Sequence, residues 1–269
     1  MAEVRDVAAP GGCRARLYVP GGDAHGLVLY LHGGGWVIGD LETHDRACRR
    51  LAARARAAVL ALDYRLAPEH PWPAAVDDAV AALRWIHARP AELAIAPDAI
   101  AIAGDSAGGT TATLACLRVR TEAPEALPAL QALIYANTDL TGSGDSMREQ
   151  RGFGLDVADI EWFNAQWVPD PVMRRDPRVS PLLAPDLAGL PRTLVVTCEH
   201  DPLRDQGEAY SARLGQAGVS TVLRREPGLV HNFLLWDTVS PACAAAADRV
   251  ADDIAAGLLG AASRSPGGW

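Results

Sequence analysis

Along this chain, compact runs of apolar residues take turns with longer stretches whose apolar positions recur every three to four residues. The runs have the length of buried strands and predict strands at 14–19, 26–31, 58–63, 99–103, 129–135, 193–198 and 219–224. The periodic stretches predict helices at 43–56, 73–88, 107–121, 203–217 and 240–259. Alternation of this kind builds an α/β fold, a mostly parallel central sheet with helices on both faces. The first two strands, joined by Pro20-Gly21-Gly22-Asp23, read as an antiparallel hairpin.

Residues 139–190 break the rhythm. They hold a Gly/Ser-rich loop, one amphipathic helix around Val157–Trp167 and a Pro-rich run, and read as an insertion that forms a lid or cap. Trp162, Phe163 and Trp167 fall at near-helical spacing there. Packing on the core explains at least two of them; walls for a substrate pocket are the other use.

With 269 residues, one domain spanning 1–269 is expected. The net charge of −8 argues against nucleic acid or an anionic membrane as a partner, and all 25 basic residues are Arg. No apolar stretch has spanning length, so membrane insertion is not expected. The five cysteines are scattered and odd in number, without metal spacing, which suits a reduced, cytoplasmic protein and no metal. The tail Ser263–Trp269 is small and polar and reads as frayed.

The chemistry concentrates in a few places. Gly104-Asp105-Ser106-Ala107-Gly108 follows a strand run and matches the G-x-S-x-G turn that pushes a serine hydroxyl into the open. Alone the pentapeptide is common and weak. His32-Gly33-Gly34-Gly35-Trp36 follows another strand run; its glycines expose backbone N–H groups of the kind that hold an oxyanion, with a further N–H expected from Ala107. A serine also needs a base and an acid to orient it. Asp201 and His231 each follow a strand run, in the order serine, acid, histidine that this fold uses. His200, Glu199 and Asp205 are the rivals. His200 fails on order, and Asp205 falls in a helix first turn where an acid is favoured for the dipole alone. His32 reads as a brace for its loop, and His25, His44, His70 and His87 as surface or loop residues. Arg65 with Glu69, Asp77 and Asp78 reads as a polar network bracing the glycine turn.

These segments, with Asp63-Tyr64-Arg65-Leu66-Ala67-Pro68-Glu69-His70-Pro71-Trp72-Pro73 and Asp201-Pro202-Leu203-Arg204-Asp205, run in one order over roughly residues 26 to 260. Together they resemble the hormone-sensitive lipase family of α/β-hydrolases, in its bacterial carboxylesterase and acetyl-hydrolase branch. The resemblance implies an α/β-hydrolase fold, catalytic Ser106, Asp201 and His231, an oxyanion hole of Gly34, Gly35 and Ala107, and no cofactor. It supports a lid over 139–190; Trp36, Trp162, Phe163, Trp167 and Asn232 are the substrate-binding candidates, a small-molecule acyl ester is the expected partner, and a homodimer is left open. The glycine motif begins at residue 32, earlier than is usual in the family, so a reduced cap without the N-terminal helices and a more open pocket are expected. Gln206 stands where an acid is common, and Asn232 where a small residue is; a hydrogen bond that supports the site is expected of Asn232. An amidase or formamidase, an acyltransferase, or a non-catalytic ligand-binding protein are the alternatives.

Overall fold

The structure is a computed structural model that describes residues 1–22, 24–88, 99–149, 152 and 154–262. The tail Ser263–Trp269 lies outside the described residues. Eight strands form one sheet: β1 (Glu3–Ala8), β2 (Arg14–Val19), β3 (Leu27–Leu31), β4 (Ala58–Asp63), β5 (Ile100–Asp105), β6 (Leu130–Ile134), β7 (Arg192–His200) and β8 (Thr221–Val230). Their order is β1-β2-β4-β3-β5-β6-β7-β8. From β4 to β8 every pairing is parallel, and β2 alone is reversed, pairing antiparallel with both β1 and β4.

The expected hairpin of the first two strands is overturned. β4 lies between β2 and β3, and β2 pairs with β4 and with β1. β1 carries Glu3, Arg5 and Asp6 and is mostly exposed, as an edge strand should be, so no apolar run announced it. All five residues of β3 are buried, which suits a central strand with parallel neighbours on both sides.

The expected helices form nearly at their predicted bounds: α1 (Asp45–Ala55), α2 (Ala74–Ala88), α3 (Ala107–Glu122), α6 (Arg204–Gln216) and α7 (Pro241–Ala262). Side chains alternate across each strand. Leu27, Leu29, Leu31, Leu60, Leu62, Ile100 and Ile102 therefore face one layer, with α2, α3 and α6. Val28, Tyr30, Val59, Ala61, Ala101 and Ala103 face the other, with α1 and α7. Both faces of the sheet are covered, and its carboxyl edge carries the ends of β5, β7 and β8, with β6 between the first two.

Within 139–190 lie α4 (Ser146–Glu149) and α5 (Val157–Trp167). α5 starts on a capping box in which the Asp156 side chain and the Asp159 side chain each accept a backbone N–H of the other's end. The insertion is tied to the body by Trp72 N–H to the Trp167 carbonyl at 2.9 Å and Leu182 N–H to the Thr138 carbonyl at 2.9 Å. Gln206 supports the same junction from below: its buried side-chain oxygen accepts the Asp139 N–H at 2.6 Å. No described helix is long and apolar enough to cross a membrane.

Candidate active site

Ser106 sits where β5 ends and α3 begins, at φ 53° and ψ −120°. That backbone region is sparsely populated for any residue with a side chain and costs on the order of 1–3 kcal/mol. It is held by the Ser106 N–H bonded to the Ile134 carbonyl at 2.8 Å and by the Thr110 N–H on the Ser106 carbonyl at 3.2 Å. The tight turn also needs α3 to approach β3 closely. A Cβ on Gly108 would run into the carbonyls of Leu31 and His32.

Asp201 follows β7 and His231 follows β8, so the parallel sheet brings all three candidates to one edge. His231 Nε2 lies 3.0 Å from Ser106 Oγ. Its Nδ1 lies 2.8 Å from Asp201 Oδ2. The other Asp201 oxygen accepts the Leu203 N–H at 2.8 Å, which fixes the carboxylate plane. Asp201 and His231 are both buried, and the Tyr135 ring packs against the imidazole with centroids 4.6 Å apart. The rival acids are engaged elsewhere: Glu199 accepts the Gly228 N–H, and Asp205 accepts the Ser146 N–H.

The glycine turn lies opposite. The Gly34 carbonyl accepts the N–H groups of Val37 at 3.1 Å and Ile38 at 3.0 Å. Gly35 sits at φ 60°, and a Cβ there would enter the Phe163 ring. Among the described residues no acceptor is bonded to the N–H groups of Gly34, Gly35 or Ala107. Ala107 is the first residue of α3, so its N–H shares the positive end of that helix.

A cavity of about 290 Å³ joins these parts, lined among others by Gly34, Gly35, Ser106, Ala107, His231 and Asn232. α5 and its approach supply Leu155, Asp159, Ile160, Phe163 and Asn164, and Leu203 and Ile38 complete the apolar wall. The aromatic candidates separate. Phe163 lines the cavity, and so does Trp36, which is otherwise buried. The Trp36 indole N–H donates to Thr111 Oγ1 at 3.0 Å, and its ring stacks on Trp167 at 3.8 Å. Trp167 is thus core behind the glycine turn, whereas Trp162 is 52% exposed with its ring edge on Phe163. Trp162, one residue before Phe163, points off the Phe163 face of α5, whereas Trp167, four residues after Phe163, shares that face and is taken up by the stack on Trp36. Asn232 lines the cavity in a left-handed conformation, φ 67°, which asparagine tolerates better than most residues. Its backbone, in place of the expected side-chain bond, accounts for the residue.

Two sequence expectations are corrected here. His44, read as a surface or loop residue, lies in the turn before α1 but is buried beside Asp105, 3.4 Å from its carboxylate. A polar side chain in a helix N-terminal turn gives no sign of burial until its partner is known. The Arg65 network is smaller than expected. Arg65 donates to buried Asp78 at 2.7 Å, while Asp77 pairs with Arg118 and Glu69 is exposed. Tyr64 reaches the glycine turn instead, its hydroxyl donating to the His32 carbonyl at 2.7 Å and its ring stacked on His32. Burial holds the His32 imidazole below its ordinary pKa despite the nearby Gly33 carbonyl. Residues the motifs did not announce are Asp105 as a structural carboxylate, Asp159, and the buried amide pair Asn137 and Asn164, bonded at 3.2 Å. All five cysteines are buried and unpaired, and Cys198, on β7, packs in the core.

The alpha/beta hydrolase fold family matches residues 28–235 of this chain. The carboxylic ester hydrolase LipN of Mycobacterium tuberculosis is 45% identical over 86% of this chain and 64% of its own length. An ethyl acetate hydrolase of Pseudomonas putida is 41% identical over 83% of this chain and 72% of its own. The chain therefore spans about two thirds of the length of these relatives. Among solved structures, the carboxylesterase EstE1 from a metagenomic library superposes with a TM-score of 0.90 at 43% identity, covering 96% of this chain and 90% of that one. An esterase of Pyrobaculum calidifontis superposes with a TM-score of 0.90 at 39% identity, covering 95% and 85%. The chain belongs to the α/β-hydrolase superfamily, and within it to the hormone-sensitive lipase family of carboxylic ester hydrolases.

Proposed function

We propose that this chain is a serine carboxylesterase that hydrolyses short-chain acyl esters through an acyl-enzyme. The observation that carries the reading is the hydrogen-bonded line from Ser106 through His231 to Asp201, opening on the same cavity as the glycine turn. In this reading His231 Nδ1–H donates to Asp201, which leaves Nε2 as the acceptor of the Ser106 proton. Ser106 Oγ attacks the ester carbonyl, and the carbonyl oxygen becomes an oxyanion held by the N–H groups of Gly34, Gly35 and Ala107. Each such donor contributes about 3–4 kcal/mol of transition-state stabilisation. His231 then gives its proton to the leaving alkoxide, and water repeats the sequence to release the acid. The steps use only protein groups and water.

Two further facts support a small acyl group. The cavity is about 290 Å³, at the small end for ligand pockets, and Phe163 closes it against Gly35. One relative carries the name ethyl acetate hydrolase. Phe163 and Asn232 are then the substrate contacts, and Trp36 and Trp167 hold the glycine turn in place. The test is hydrolysis of a 4-nitrophenyl ester series from acetyl to dodecanoyl, with Ser106→Ala alongside. Fast turnover of the short esters that vanishes in the variant supports the reading. Equal turnover by folded Ser106→Ala overturns it.

A further inference from the structure

We propose that this active site selects esters that carry a substituted-ammonium group, held by Asp159 and the ring of Phe163. The proposal rests on the esterase reading above and names its substrate class. Apart from the proposed base His231, Asp159 is the sole ionisable side chain among the described residues that line the cavity. It stands four residues before Phe163 on α5, and side chains at that spacing share a helix face. A carboxylate and an aromatic ring on one face, both lining one cavity, are the parts of an ammonium site: the carboxylate supplies charge and the ring face supplies cation–π attraction.

Helix capping accounts for only part of Asp159. One carboxylate oxygen accepts the Asp156 N–H at 3.1 Å. The other oxygen has no hydrogen bond among the described residues, and the residue is exposed at the cavity mouth. A neutral glutamine would serve the cap as well. The remaining polar lining groups, Asn137, Asn164 and Asn232, are uncharged amides, and no arginine lines the cavity among the described residues. Among the described lining residues an anionic ester meets no compensating charge. The chain's net charge of −8 adds a field that draws cations toward the molecule. The positive end of α5 opposes this, which keeps the effect moderate.

The experiment compares kcat/KM for acetylcholine and for 3,3-dimethylbutyl acetate, which has the same shape without the charge. Wild type is expected to favour the cation by about fivefold at low salt, the upper range for an exposed charge pair. That preference should shrink toward one as salt rises from about 10 mM to about 0.5 M, where the Debye length falls to a few ångströms. Asp159→Asn, which retains an oxygen for the Asp156 N–H, should bring the ratio near one. A wild-type ratio at or below one, a preference that salt leaves intact, or a preference that Asp159→Asn retains would each overturn the proposal. Should that variant fail to fold, the salt series on wild type decides. Hydrolysis of the neutral ester with a ratio of one leaves the esterase reading standing and removes only this inference. No hydrolysis of the neutral ester or of 4-nitrophenyl acetate removes both.

Discussion

The carboxylate of Asp105, one residue before Ser106, accepts the backbone N–H of Gly33 at 3.0 Å. It thereby ties the turn that carries the serine to the turn that carries the glycines. The same oxygen accepts the Tyr30 hydroxyl at 2.8 Å, and His44 lies 3.4 Å away. Asp105 is fully buried. Burial would push its carboxyl up, but the neighbouring His44 and the Tyr30 bond win and hold it below the usual carboxylate range. His44 answers in kind: burial opposes its charge, and Asp105 lifts it above the ordinary imidazole value.

Asp105→Asn removes one partner of this buried pair while leaving an oxygen for Gly33. Breaking a buried ion pair from one side costs about 3–5 kcal/mol. For a chain of this size that is a fall of about 6 °C or more in Tm. Because the glycine turn loses an anchor, kcat should fall more than KM rises. Thermal melts and steady-state kinetics check both; an unchanged Tm would show that the pair carries no net stability.

The two shifts set a pH window. The raised His44 value gives stability that is full below the ordinary imidazole pKa of about 6.5 and is lost as pH rises through the higher folded value. Lowering at Asp105 gives stability that is present above the ordinary carboxylate pKa of about 3.9 and is lost as pH falls through the folded value. The difference in Tm between wild type and His44→Gln should therefore be largest between about pH 4 and 6.5 and shrink on the alkaline side. His32, whose depressed value works in the opposite direction, is lowered chiefly by burial, which both proteins share, and in smaller part by charged His44, so its contribution cancels only in part. A difference that does not vary with pH would mean that His44 is neutral in the folded protein.

Asp201→Asn is expected to keep the fold, since the amide oxygen can still accept the Leu203 N–H. The amide cannot hold His231 in the tautomer that leaves Nε2 free. A loss of about 10⁴ in kcat is expected, the size seen when a triad acid is made neutral elsewhere. Circular dichroism and a short-ester assay measure the two halves of this prediction. Retention of more than a tenth of wild-type kcat would remove Asp201 from the role of orienting acid.

How much of this was legible in the sequence follows from the length scale of each interaction. Strand cores and the turns after β3, β5, β7 and β8 are local patterns, and the apolar runs with Gly104, Gly108 and Gly33 to Gly35 mark them directly. The parallel sheet then places Ser106, Asp201 and His231 together without further information. β1 was invisible because an edge strand with three charges has no apolar run. The pairing of His44 with Asp105 spans 61 residues, and nothing near either residue signals it. Trp162 differs from Phe163 in helical phase, whereas Trp167 shares the Phe163 face and is set apart by its stack on Trp36, a partner far along the chain that local spacing does not signal.

Gly35 and Phe163 offer a test that combines phase with packing. Gly35→Ala places a methyl group against the Phe163 ring at a left-handed backbone angle, φ 60°. Strain at such a position costs about 1 kcal/mol or more, and the steric conflict adds to it. The proposed oxyanion donor would shift, so kcat should fall by about tenfold to a hundredfold. Phe163→Ala alone should widen the cavity and move the preferred acyl chain from short toward six or eight carbons, in order-of-magnitude keeping with about 0.8 kcal/mol for each methylene that finds an apolar wall. Trp162→Ala, at an exposed site, should leave chain-length preference where it was. In the double variant the ring is gone and only the backbone strain remains. Part of the lost kcat should therefore return, with the longer-chain preference kept. If the double variant is no faster than Gly35→Ala, the ring is not what the added methyl meets, and the placement of Phe163 over the glycine turn is wrong.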